Sequence, residues 1–109
     1  MSKKEARFEK DFLEKVQGLD RVWVPFKMES LSVRGIPDRI FCVNGIFVAI
    51  EFKKDKKEAT KNTGRIRLQR YILEEIAKAG GYTAIVSPDN AVAIFDDLKR
   101  ISRRGGENE

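Results

Sequence analysis

Apolar residues at Phe8, Phe12, Leu13, Val16 and Leu19 recur at three- and four-residue spacing, which predicts an amphipathic helix over residues 2–19. Ser2 and Glu5 form an S-x-x-E capping box at its start, and Gly18 is a stop signal. Val22, Val24 and Phe26 then alternate, predicting a strand over 21–28 that Pro25 confines to an edge or a bulge. Residues 29–36 read as a loop. Two β-rich runs follow, RIFCV and IFVAIEF, joined by Asn44-Gly45. That dipeptide is the strongest short hairpin signal, because a type I′ turn needs positive φ at both positions. Both runs are apolar on alternate and intervening positions alike, so layers are expected on both faces of their sheet.

Residues 53–64 read as a charged loop. Leu68, Ile72, Leu73, Ile76 and Ala79 share one helical face over 65–79, and Gly80-Gly81 ends that helix. Strands are expected at 82–86 and 91–95 around the turn Ser87-Pro88-Asp89-Asn90. Asp96 or Asp97 would cap a last helix, and the tail from Arg103 is expected to fray. The predicted order is α-β-β-β-α-β-β-α. It describes an α/β fold, a mixed sheet flanked by helices, in a single domain spanning 1–102 with a disordered tail at 103–109.

The 109 residues are enough for one domain with one modest core, and 41% hydrophobic residues supply it. Cys42 is the only cysteine, which rules out an internal disulfide; inside an apolar run it reads as a core thiol. The chain has no histidine. Histidine bases, histidine zinc ligands and Ser-His-Asp triads are thereby excluded, and any metal must be held mainly by oxygen, as Mg²⁺, Mn²⁺ or Ca²⁺ are. The charged N-terminus lacks the apolar region of a signal peptide, and no apolar stretch approaches a membrane span, so a cytoplasmic setting is expected.

Net charge is +5, but its placement says more than its size. Lys53, Lys54, Lys56, Lys57, Lys61, Arg65, Arg67 and Arg70 stand against only Asp55 and Glu58, a local excess of +6. Such a segment attracts phosphate backbones without selecting sequence, and a solvated charged loop is its plainer alternative. Lys54, Lys56, Lys57, Lys61 and Arg65 are the candidate nucleic-acid contacts, with Arg34 in the loop ahead of the hairpin.

Candidate chemistry comes from the hairpin register. A two-residue loop at Asn44-Gly45 pairs Val43 with Ile46, and counting back along both strands sets Asp38 opposite Glu51. Glu51 and Lys53 lie two apart on a strand and share its face, so Asp38, Glu51 and Lys53 converge at one sheet end. Two carboxylates directly opposed repel each other. A divalent cation between them turns that cost into binding and keeps both deprotonated. Lys53 then has two roles open to it, on an attacking water or on phosphate charge. An ordinary surface pair at a strand end is the alternative, and a one-residue register slip would break the convergence. Glu9, one turn before Phe12 and Leu13, is an acid on an apolar helix face and a candidate further metal ligand, with a snorkelling or solvent-facing acid as the alternative. Gln69 is an amide on the apolar face of the second long helix, where a buried amide requires partners; metal-associated water or a phosphate near the site would serve, and a core amide satisfied by backbone is the alternative.

Gly35-Ile36-Pro37-Asp38, then Glu51-Phe52-Lys53, then Gln69, resemble the PD-(D/E)xK nuclease superfamily, and within it the VRR-NUC branch. The resemblance runs from the Glu9 helix to the strand after Gly80-Gly81. It implies a restriction-endonuclease-like αβββαβ core and Mg²⁺-dependent hydrolysis of phosphodiester bonds, with Mn²⁺ able to substitute. It also implies Asp38 and Glu51 as metal-binding acids joined by Glu9, with Lys53 and Gln69 completing the catalytic set. Stand-alone members of this length resemble phage-type resolvases of branched DNA such as Holliday junctions, which implies DNA repair chemistry and a homodimer. A nuclease of linear DNA or RNA is the competing activity. A non-catalytic nucleic-acid-binding module with the same fold is the competing class.

Overall fold

The computed structural model describes residues 3–24, 37–59 and 64–105. Expectations for Ser2, for the strand and loop at 25–36 including Arg34, for Lys61, for the Glu5 and Arg65 side chains and for the tail from residue 106 lie outside the described residues. The order is helix α1 (Lys3–Gln17), strands β1 (Val22–Trp23), β2 (Arg39–Val43) and β3 (Ile46–Phe52), helices α2 (Lys56–Ala59) and α3 (Gly64–Lys78), strand β4 (Tyr82–Val86) and helix α4 (Ala91–Arg103). The sheet runs β1-β2-β3-β4, antiparallel except for the parallel pair β3 and β4. This is a mixed α/β fold with a four-stranded mixed sheet and four helices. No helix among the described residues is long and apolar enough to cross a membrane.

The hairpin forms as its turn chemistry demands. Asn44 and Gly45 have φ of 49° and 82°, and Val43 faces Ile46. Phe41, Val43, Val48 and Ile50 point to one face and pack with Phe12, Leu13 and Val16 of α1 and Leu98 and Ile101 of α4. The ring of Phe52 meets those of Phe8 and Phe12 edge-on, at 6.1 and 5.7 Å. The opposite face takes α3, which packs on β4 and buries Ile66, Gln69 and Leu73. Helices on both faces explain why the two hairpin strands are apolar throughout. Gly80, at φ 103°, ends the helix, and Gly81 lies so close to Ile76 and the Phe47 carbonyl that a Cβ there would clash.

Two expectations are corrected. Residues 91–95 are not a strand but the first turns of α4, and neither Asp96 nor Asp97 is its cap. Ala91, Ile94, Phe95, Leu98 and Ile101 recur at helical spacing and all join the core, a period that a five-residue window hides. Asn90 sets the turn before the helix: its Oδ1 accepts from the Ser87 N–H at 2.9 Å and its Nδ2 donates to the Ile85 carbonyl at 2.9 Å. The Tyr82 hydroxyl donates to Asp97 Oδ2 at 2.7 Å and joins α4 to β4. Burial, reinforced by Asp97, pushes that hydroxyl well above its ordinary pKa. The segment after β3 is not wholly loop either. It contains the single turn α2, whose Glu58 N–H is capped by Asp55 Oδ1 at 2.8 Å.

Candidate metal-binding and phosphate-binding site

The site grows from the open end of the hairpin. The last strand pair is Arg39 with Ile50. One step further, the Phe52 N–H donates to Asp38 Oδ2 at 3.0 Å, which closes the hairpin end and sets Asp38 beside Glu51. The Asp38 carboxyl is close enough to act directly on that of Glu51. Glu51 is buried at 3% exposure, and its Oε2 has no hydrogen-bond partner among the described residues. Burial, with Asp38 alongside, pushes the Glu51 carboxyl up to about 8, while the Lys53 ammonium pulls the other way. Lys53 shares the Glu51 face. Its Nζ donates to Gln69 Oε1 at 3.1 Å, so the amide on α3 fixes the amine at the mouth of the acid pair. Asp38, Glu51, Lys53 and Gln69 are thus brought together.

Glu9 is not brought to this group. It is buried, but its Oε1 accepts from Arg39 Nε at 2.7 Å. The reason is strand alternation: Asp38 and Arg39 point to opposite sheet faces, and α1 packs on the Arg39 face. Among the described residues no three acids form a metal-holding group, so Glu9 is corrected from candidate ligand to partner of Arg39. Sequence reasoning missed Arg39, although a cation beside Asp38 within an apolar strand was a signal that a buried acid had to meet it.

The rim of the site is basic and held in place from below. The Lys53 N–H donates to the Val86 carbonyl at 2.8 Å, extending the β3–β4 ladder past β3. The Lys56 N–H donates to Asp89 Oδ2 at 3.0 Å, and Arg70 Nη2 donates to the Ala59 carbonyl at 3.0 Å. Lys54, Lys56 and Lys57 are exposed beyond these anchors. Asp89 was also missed, since a turn acid gives no sequence sign of which distant N–H it will take.

The donor set fits a hard divalent cation. Two adjacent carboxyls, one with a strongly raised pKa and a buried oxygen orphaned among the described residues, are arranged so that a cation would replace the proton that Glu51 keeps. Two carboxylates are the number Mg²⁺ commonly takes from a protein, leaving the rest of its shell for water and phosphate. Comparison with family models, with curated proteins and with solved structures gives no match. The chemistry of the site therefore rests on its own residues and on the resemblance of the motif.

Proposed function

We propose that the chain is a Mg²⁺-dependent endodeoxyribonuclease of the PD-(D/E)xK type, with a restriction-endonuclease-like core, acting on branched DNA. The observation that carries this is the opposed pair of half-buried Asp38 and buried Glu51, with Glu51 Oε2 unpartnered among the described residues. A fold gains nothing from that pair without a cation. Asp38 and Glu51 would hold the metal, which when bound supplies a Lewis acid that offsets phosphate charge and acidifies water. Lys53, oriented by Gln69, presents its ammonium at the same sheet end. There it donates to a non-bridging phosphate oxygen or holds the attacking water. Water adds to phosphorus, one P–O ester bond breaks, and the departing oxygen takes up a proton.

Lys54, Lys56 and Lys57 guide the backbone past the acids. None of these contacts reads a base, so selectivity falls to DNA shape and branching. Two strands of a junction require two such sites, which is the functional case for a homodimer.

The test is cleavage of labelled four-way junction, flap and linear duplex in Mg²⁺, Mn²⁺ or EDTA, comparing wild type with Lys53→Ala. Metal-dependent cuts, strongest on the junction and lost in the variant, are expected. Cuts confined to linear DNA or RNA would move the substrate. Tight metal-independent binding without cleavage would make the chain a binding module instead.

A further inference from the structure

The turn that fixes the hairpin also holds the end of the last helix. Helix α4 runs out at Arg103, and its last carbonyls lack the N–H partners of a further turn. Asn44 supplies donors instead: its Nδ2 donates to the Ile101 carbonyl at 2.9 Å and to the Arg104 carbonyl at 2.8 Å. Arg21, at a φ of 59° that a non-glycine residue rarely adopts, completes the clasp. Its carbonyl accepts the Asn44 N–H at 2.7 Å, and its Nη1 donates to the Arg104 carbonyl at 3.0 Å and to Asn44 Oδ1 at 3.4 Å. The turn before β1, the hairpin turn and the end of α4 thus meet at one carboxamide, with both of its N–H donors in use.

The same carboxamide has the most reactive setting in the chain. Of the four asparagines, only Asn44 is followed by glycine. Gly45 has no side chain to keep its nitrogen from the Asn44 Cγ, and it is exposed, with nothing within 4 Å of where a Cβ would stand. We propose that Asn44 is a site of spontaneous modification that docked α4 holds in check, and that its conversion releases the end of α4. The Gly45 main-chain nitrogen attacks Cγ, the new N–C bond closes a succinimide, and the Cγ–Nδ2 bond breaks. Ammonia leaves with the Gly45 proton. Water then opens the ring at either carbonyl to give aspartate or isoaspartate, with no oxidation or reduction.

The fold opposes the first step and is disrupted by the last. Cγ turns to the Gly45 nitrogen only when Nδ2 leaves both carbonyls, and two hydrogen bonds of ordinary strength slow that by roughly tenfold or more. After conversion a carboxylate oxygen stands where Nδ2 stood. Acceptor then faces acceptor at the negative end of the α4 dipole, with the Arg21 guanidinium as the cation at hand. Isoaspartate also adds a carbon to the main chain inside the two-residue turn that sets the β2–β3 register. Release of α4 and modification of Asn44 therefore promote each other, and the modification does not reverse.

The test needs neither metal nor DNA and stands apart from the nuclease reading. The wild-type chain is held in mildly alkaline buffer, folded and in denaturing guanidinium chloride. The tryptic peptide 40–53 is followed by mass and by chromatographic separation of its aspartate and isoaspartate forms. Asn44 should convert ahead of the other asparagines in the unfolded chain, and roughly tenfold or more slowly in the folded one. Arg103→Pro breaks the last turn of α4 and should bring the folded rate toward the unfolded rate, with circular dichroism showing the rest of the fold intact. Asn44→Asp supplies the product directly and should speed hydrogen exchange of the amides at 101–104 by roughly tenfold or more, while the centre of the β2–β3 ladder stays protected. Equal conversion in folded and unfolded wild type overturns the proposal, as does an unfolded chain in which Asn44 does not convert first. A folded Arg103→Pro chain that converts as slowly as wild type overturns it too, and so does wild-type exchange protection in Asn44→Asp. The wild-type comparison decides the matter whether or not either variant folds.

Discussion

Replacing Glu51 with glutamine should make the metal-free protein more stable, and increasingly so as pH rises. In the folded chain, burial and Asp38 push the Glu51 carboxyl from 4.5 up to about 8. Below pH 4.5 the group is protonated in folded and unfolded chains alike and contributes no slope. Between 4.5 and about 8 the unfolded chain releases this proton and the folded chain keeps it, so stability falls with rising pH. Above about 8 both states are ionised and the full cost is present. At 1.36 kcal/mol per pKa unit the span sets a ceiling of about 5 kcal/mol, and the coupling of Glu51 to its neighbour brings the expected cost to a few kcal/mol. Glutamine keeps the shape, carries no charge and can donate to the Asp38 carboxylate.

Urea unfolding in EDTA at pH 5, 7 and 9 measures this. Wild type should lose stability across the series, Glu51→Gln should lose much less, and the variant should be the more stable at pH 9. Mg²⁺ should then stabilise wild type in proportion to the logarithm of its concentration and leave the variant unmoved. If Glu51→Gln is the less stable protein at pH 9 and shows the wild-type slope, the carboxyl is not held protonated by its surroundings. The cation argument would then lose its ground.

Lys53→Ala should lower single-turnover cleavage by 10²-fold or more, by the usual size of a positioned proton-handling or charge-stabilising group, while DNA affinity measured by anisotropy stays within a few-fold. Gln69→Leu removes the partner of Lys53 Nζ and should cost about tenfold in the same assay. Charge reversal at Lys54, Lys56 and Lys57 should weaken DNA binding and reduce the salt slope by up to about 0.9 per lost phosphate contact in a titration of affinity against salt. Arg39→Met leaves the buried Glu9 carboxylate unpaired and should cost about 3–5 kcal/mol in urea unfolding, much of it recovered by adding Glu9→Leu.

The hairpin was legible because one dipeptide permits one turn. Asn44-Gly45 fixes the register, the register sets Asp38 beside Glu51, and alternation puts Lys53 with them; each step is local. The strand expected at 91–95 failed because AVAIF by itself carries no period. Only when Leu98 and Ile101 are counted does the helical spacing emerge. Asn90, which ties the turn back to β4, reads in the sequence as one more turn residue.

Glu9 shows where local reasoning ends. The helix face it shares with Phe12 and Leu13 left burial and solvent exposure both open, and its partner depended on which side of the sheet that helix packs. Hydrophobic pattern cannot decide between two faces that are both apolar, and at the start of β2 the neighbouring residues Asp38 and Arg39 offer opposite answers. Electrostatics separates them: a helix bringing a buried acid to the Asp38 face would add a third carboxylate to a pair already in conflict, whereas the Arg39 face offers a bidentate cation. The observed pairing at 2.7 Å takes the second course. It neutralises Glu9 without a metal, and among the described residues it leaves the Asp38–Glu51 pair as the electrostatic cost at that end of the sheet. A binding site for a divalent cation is what such a cost is suited to provide.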